Sequence, residues 1–372
     1  ALLPALAGLL LLPATAIAQA GDTIRVSADE DLTISAAIEA AAPGDTILIG
    51  PGVYPENLVI DKPLTLRGEG ERGDVVIAPA EALPERREVP DTEEPVVTHV
   101  FVDGVDVTIE HLSFAEDERI QASLMLRGGE HRVRDIDSAH IIGVNGDVDA
   151  TIEGSQLNRI IVMGTGAAVD ISGSTISDGM VAGMGSTASV RDSLIVDGPI
   201  DVYDDARLEA IGNVFRPAEG APAIWVNWTG GSASVVDNVI EGAWQGVMVE
   251  HGASVHIEGN TITDPEVGIH VVETGGVVRD NVVSGAGEVG IVIAGNGTTV
   301  EDNTVSGGRI GMQITMPNGY PPGAPRWDDP SVFRGNDVTG SSHFGVLVSE
   351  AAPVISGNTI CSERQPLEPV SY

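Results

Sequence analysis

Short apolar-x-apolar runs, cut by Gly, Asn and Asp, follow one another along most of this chain, and their period of two predicts strands of three to five residues and not helices. The runs fall into a frame. An Asn preceded by Gly or Asp returns at Asn213, Asn238, Asn260, Asn281, Asn303, Asn336 and Asn358, at spacings of 25, 22, 21, 22, 33 and 22 residues. Upstream the same position holds Ser193, Ser174, Ser155, Ile136 and Leu112, and three residues before every member stands an apolar side chain, from Ile109 and Val133 to Phe333 and Ile355. The period is too short for most helical solenoids. A chain that presents the same side chains inward on every turn, with a sharp bend between short strands, is a parallel β-helix, and the frame predicts about twelve coils of it.

Stacked coils lie about 4.8 Å apart, so equivalent side chains form columns. The Asn column is expected to be a ladder of buried amides bonding above and below and satisfying the backbone of the bend, with Ser doing part of this upstream. Later repeats carry a second run opened by Gly, as in Gly246-Val247-Met248-Val249 and Gly268-Ile269-His270-Val271. Alternation points the first and third residues after Gly inward and the middle one outward.

Before the coils, Thr33 or Ser35 can cap a short amphipathic helix with the apolar face Ile34, Ala37, Ile38 and Ala41, ended by Pro43-Gly44, and strands follow at 46–49, 58–60 and 64–66. Such a helix covers the apolar end of the first coil. The chain then divides into residues 1–20, an apolar run ending in the small-x-small sequence Ala18-Gln19-Ala20 and expected to be a cleaved signal peptide; 21–70, the cap and first strands; 71–360, the coils; and 361–372, a C-terminal tail or partial cap. Cleavage implies a secreted or periplasmic protein with no membrane attachment afterwards. Cys361 is the one cysteine and makes no internal disulfide.

The net charge of -36 and the single lysine, Lys62, change the list of partners. No basic stripe is available to release phosphate counterions, which excludes nucleic acid. A polyanionic polysaccharide would be repelled too, unless Ca²⁺ bridges the two or a local Arg patch exists.

Pro43-Gly44-Asp45, Pro51-Gly52-Val53-Tyr54-Pro55-Glu56 and Ile60-Asp61-Lys62-Pro63-Leu64 together resemble the opening of pectin-lyase-like right-handed β-helix proteins. With the coils, the resemblance spans nearly all of the chain after residue 20 and implies a single-stranded, right-handed parallel β-helix. The same opening is found in carbohydrate-binding and sugar-hydrolase β-helix domains, in pectin methylesterases and in the maturation protein of nitrous-oxide reductase. The Gln-Ala-Val-Ala-Leu and Asp-Phe-Ile-Phe-Gly segments of the methylesterases and the Asp-Pro-His-Asp of the mannuronan epimerases are absent. Asp204-Asp205 is similar to the aspartate pair of polygalacturonases but lacks their Gly-His-Gly and Arg-Ile-Lys companions.

In this fold a ligand groove usually follows the outer face of one sheet. The outward column reads Asp201, Trp225, Met248, His270, Val292, Gln313 and Leu347, and the next one Tyr203, Asn227, Glu250, Val272, Ala294, Thr315 and Ser349. Polar and aromatic side chains cluster at its start, where aromatic faces stack on sugars and carboxylates and amides take hydroxyls. The expected acid/base groups are Asp201, Glu250 and His270. The expected substrate-binding groups are Tyr203, Trp225, Asn227, Trp228 and Gln313, joined by Tyr320, Arg326 and Trp327 from the Pro317–Asp328 insertion if that loop overhangs the cluster. No transition-metal site and no cofactor are expected; Ca²⁺ through Asp201, Asp204 and Glu250 is the one candidate ion. The expected function is binding of a polysaccharide and, if the protein is an enzyme, its hydrolysis; the competing reading is a non-catalytic periplasmic or surface scaffold or maturation factor.

Overall fold

The computed structural model describes residues 21–84, 87, 96–227, 230–251, 254–295, 297–316, 330–349, 351–362 and 365–370. The signal-peptide run, Trp228 and the whole Pro317–Asp328 insertion with Tyr320, Arg326 and Trp327 lie outside them.

Every coil contributes three parallel strands. In one coil, Arg207–Ile211 lies on face one, Asn213 makes the bend, Val214–Pro217 lies on face two, and Ile224–Val226 lies on face three. Face two holds 14 strands, so the solenoid has about 14 coils and not twelve. The additional coils come from the segment upstream of the frame, where Gly52–Pro55 and Val75–Ala78 already pair on face two although neither follows an Asn or Ser bend. Faces one and three join into one 27-stranded sheet because Ala122–Arg134 and Ile141–Glu153 run through the corner between them, past Gly128, Gly129 and Gly146 at positive φ. Downstream, Gln365–Val370 continues face three in register with Phe344–Ser349.

Face two was not distinguished by the repeat frame. Its strands are as short as Gln156–Leu157 and most place one side chain in the core, the column Leu157, Ile176, Ile195, Phe215, Ile240, Ile262, all buried. A strand with one inward residue carries no alternation to read.

The bend explains the residue before each ladder position. It sits in the left-handed region, with φ of 55° at Asp237, Asp280 and Asp302 and between 65° and 68° at Gly212, Gly259, Gly335 and Gly357. Gly reaches that region without penalty and Asp tolerates it better than most residues. The ladder itself is continuous. From Asn238 on, each Asn Oδ1 accepts from both the backbone N–H and the Nδ2 of the Asn one coil earlier, as Asn281 does from Asn260 at 3.0 and 2.9 Å, and each Nδ2 also donates to a backbone carbonyl of an earlier coil; Asn213 Oδ1 takes the Ser193 N–H. Ser174 and Ser193 accept from the preceding backbone N–H at 3.1 Å but turn their hydroxyls to carbonyls of their own coil, so Ser performs only the accepting half.

The N-terminal motifs are the fittings of the cap. Helix Ile34–Ala40 is capped by the Thr33 side chain, and the Glu56 carboxylate takes the N–H groups of Ile34 and Ser35 at 2.8 and 2.9 Å. Lys62 Nζ donates to the carbonyls of Glu39 and Ala41 at the other end, where a cation also suits the helix dipole. Tyr54 donates to the Gly50 carbonyl at 2.7 Å, and Ile34, Ala37 and Ile38 close the first coil.

Candidate functional site

Face three carries the outward column in the register the spacing predicts. Asp201 pairs Trp225, Trp225 pairs Met248, Met248 pairs His270, and the series continues through Val292 and Gln313 to Leu347. The inward neighbours Val202, Val226, Val249 and Val271 are buried, which fixes the alternation and leaves the middle residues facing out.

An open depression of about 380 Å³ lies on this face, floored by Val181 and bounded by Asp201, Tyr203, Asp204, Trp225 and Asn227. Its size falls in the range of small-ligand sites. Gly183 makes room for one wall: a Cβ there would lie 2.6 Å from Cε2 and Cζ of Tyr203, so only Gly lets that ring lean back over the previous coil and donate to Met163 Sδ at 3.4 Å. Gly183→Ala is expected to push Tyr203 off its seat and cost about 1–3 kcal/mol, read by urea unfolding; an unchanged midpoint would mean the ring has another resting place.

Two acceptors on residues that line the depression have no partner. Asp201 Oδ1 and Asn227 Oδ1 are both buried from solvent and unbonded. Burial pushes the Asp201 carboxyl above its usual range against the pull of Arg159, and burial, then Asp204 and Asp201, push the Tyr203 phenol up. Trp225 Nε1 donates to Glu250 Oε2 at 3.1 Å, so Glu250 reaches back one coil and holds the indole at the edge of the depression.

His270 is placed apart. It stands two coils beyond Trp225, about 10 Å along the axis, with Nδ1 3.2 Å from Gln245 Oε1; burial lowers its pKa while Glu250 opposes that. Gln245 is a partner the sequence reasoning missed, although the signal was there: strand register aligns it with Val267, Val289, Ile310 and Phe344, all apolar. Gln313 lies four coils from Trp225, about 19 Å away, and does not join the cluster. Asp201, Asp204 and Glu250 do not gather into an ion-binding group: among the described residues no three His, Cys, Asp or Glu side chains come together in a metal-holding arrangement.

Residues 213–362 match the family model described as periplasmic copper-binding protein (NosD), and residues 100–283 match that of the right handed beta helix region. None of the curated proteins matches the sequence. Among solved structures, the chain is similar to the mannuronan C-5 epimerase A-module of Azotobacter vinelandii (15% identity, 91% of this chain and 93% of that one, TM-score 0.35). It is also similar to a mannuronic acid specific polysaccharide family 6 lyase from human gut microbiota (14%, 94% and 83%, 0.40) and to a family 28 exopolygalacturonase of Yersinia enterocolitica (12%, 94% and 79%, 0.36). Likeness at this level says nothing about chemistry.

Copper, the metal in the first family's description, calls for imidazole, thiolate or thioether donors converging on one point. Over residues 213–362 the described histidines are engaged separately, His251 with Glu273, His256 with Glu258, His270 with Gln245 and His343 with Ser342, while Cys361 is exposed. These residues do not form a copper site.

Proposed function

We propose, from the premise that the chain belongs to the pectin-lyase-like superfamily of right-handed parallel β-helix proteins, that it is an exported protein which binds a polysaccharide along face three, with the depression at Asp201 and Trp225 as its principal subsite. The observation that carries this reading is the coincidence, on one coil pair, of two aromatic walls with two buried acceptors that lack partners. A sugar ring stacks on such walls and its hydroxyls supply donors. Later coils present Val292 and Leu347 in the same column and offer nothing comparable.

If the bound glycan is hydrolysed, Asp201, biased toward its protonated form by burial, is the proton donor and Glu250, on the far side of Trp225, is the second carboxylate. Glu250→Gln then abolishes turnover and leaves retention nearly intact, because the amide oxygen can still accept the indole N–H. A glycan-array screen of the mature protein, with and without Ca²⁺, tests the binding reading. Retention of a glycan that Trp225→Ala weakens roughly 3- to 10-fold supports it; absence of binding to every neutral and acidic glycan overturns it in favour of a non-catalytic periplasmic or surface scaffold or maturation role.

A further inference from the structure

The depression is lined by hydrogen-bond acceptors and π faces, and by hardly any donors. Asp201 and Asp204 are carboxylates, Asn227 turns its Oδ1 inward without a partner, and the Trp225 N–H is already given to Glu250. The Tyr203 hydroxyl is directed to Met163 Sδ. Arg159, the cation whose charge reaches Asp201, sits 3.6 Å from Asp178 on the other side. A uronate would bring a third carboxylate into this set, in a protein of net charge -36. A neutral sugar would satisfy the acceptors but bring no positive charge to the Asp201 carboxyl, which burial pushes toward its protonated form and only Arg159 draws back. An ammonium group does both: it donates up to three hydrogen bonds, neutralises the carboxylate and is attracted to the faces of Trp and Tyr.

We propose that this subsite takes a sugar carrying a free amino group, its ammonium beside the Trp225 and Tyr203 rings and drawing the covered, unpartnered Oδ1 atoms of Asp201 and Asn227 round to meet it. The proposal rests on the polysaccharide reading and narrows its substrate class to amino sugars with unacetylated nitrogen.

An acidic protein attracts any polycation, so the test needs a short ligand, moderate salt and a charge-matched control. Titration calorimetry at mildly acidic pH and 0.3 M salt would compare the glucosamine trimer with the N-acetylglucosamine trimer. The probes differ in amine charge and not in ring number. The expected result is that the glucosamine trimer binds at least tenfold tighter. Asp201→Asn, which keeps shape and removes the charge, should erase that preference, whereas Glu153→Gln, an exposed acid two coils earlier on face one, should keep it. Equal loss in both variants would show attraction by net charge only and overturn the proposal. Equal binding of the two trimers, weakened by Trp225→Ala, would overturn the amine preference and leave the polysaccharide reading standing. Absence of binding by either trimer, with glycan retention found elsewhere on the array, overturns the amino-sugar class alone; absence of all retention removes both.

Discussion

Replacing Asn281 by Leu is expected to lower stability by about 3–6 kcal/mol, at 1–3 kcal/mol for each buried group left without a partner. Asn281 is fully buried in the middle of the ladder. Its Oδ1 is the acceptor for the Asn260 backbone N–H and Nδ2, and its Nδ2 donates to the carbonyls of Ile257 and Arg279 and to Asn303 Oδ1, at distances between 2.9 and 3.0 Å. Leu has the same number of side-chain heavy atoms and none of these functions, so it strips the polar contacts and its bulkier branch adds overpacking to their loss. Asn281→Ser restores one of them: a hydroxyl can accept the preceding backbone N–H, as Ser155, Ser174 and Ser193 do. Its cost should be clearly below that of Leu. Thermal or urea unfolding of the two variants decides this, and equal midpoints for wild type and Asn281→Leu would contradict the ladder's energetic role.

The second large effect is expected from acid. His99 is completely buried, neither ring nitrogen has a hydrogen-bond partner, and the ring stacks against His140 at 5.8 Å and tilts against Phe114 at 5.6 Å. Burial, reinforced by His140 and opposed by Asp117, lowers its pKa to about 4. The folded protein therefore holds His99 neutral while the unfolded chain takes up a proton near pH 6.5. The sign follows: stability from this group is fully present above pH 6.5, is lost as pH falls toward 4, and falls no further below that. At 1.36 kcal/mol per pH unit the interval is worth roughly 3 kcal/mol. His131, His140 and His270 also have lowered values, so the wild-type slope contains their contributions. Subtraction isolates His99: the stability gap between wild type and His99→Leu, measured in urea at pH 7.5 and again at pH 4.5, should shift by about that amount in favour of the variant. Parallel pH profiles would show that His99 finds a proton acceptor on charging.

Sequence spacing made the columns legible because a solenoid converts distance along the chain into stacking: residues one repeat apart become neighbours. That is why Asp201, Trp225, Met248 and His270 align as predicted, why the ladder runs through Asn213 to Asn358, and why the apolar positions three residues before it line the core, as Ile257, Val278 and Val300 do. The cap motifs were readable for a related reason, since Thr33 and the residues around Glu56 and Lys62 close a helix a short way along the chain.

Spacing alone could not show what happens across the columns. It missed face two because one inward residue per strand leaves no period, and it undercounted the coils because the first ones bend without an Asn or Ser. Within the candidate site, the tertiary structure decided that Tyr203 leans over Gly183, that Glu250 serves the Trp225 indole, that His270, two coils beyond Trp225, bonds Gln245, and that Gln313 stands four coils off. Those outcomes depend on which way an outward side chain leans and on the room its neighbour leaves. Alternation determines only the face on which a side chain emerges; the packing of adjacent coils determines its direction, and so whether the column becomes a depression with unpartnered acceptors or a filled surface.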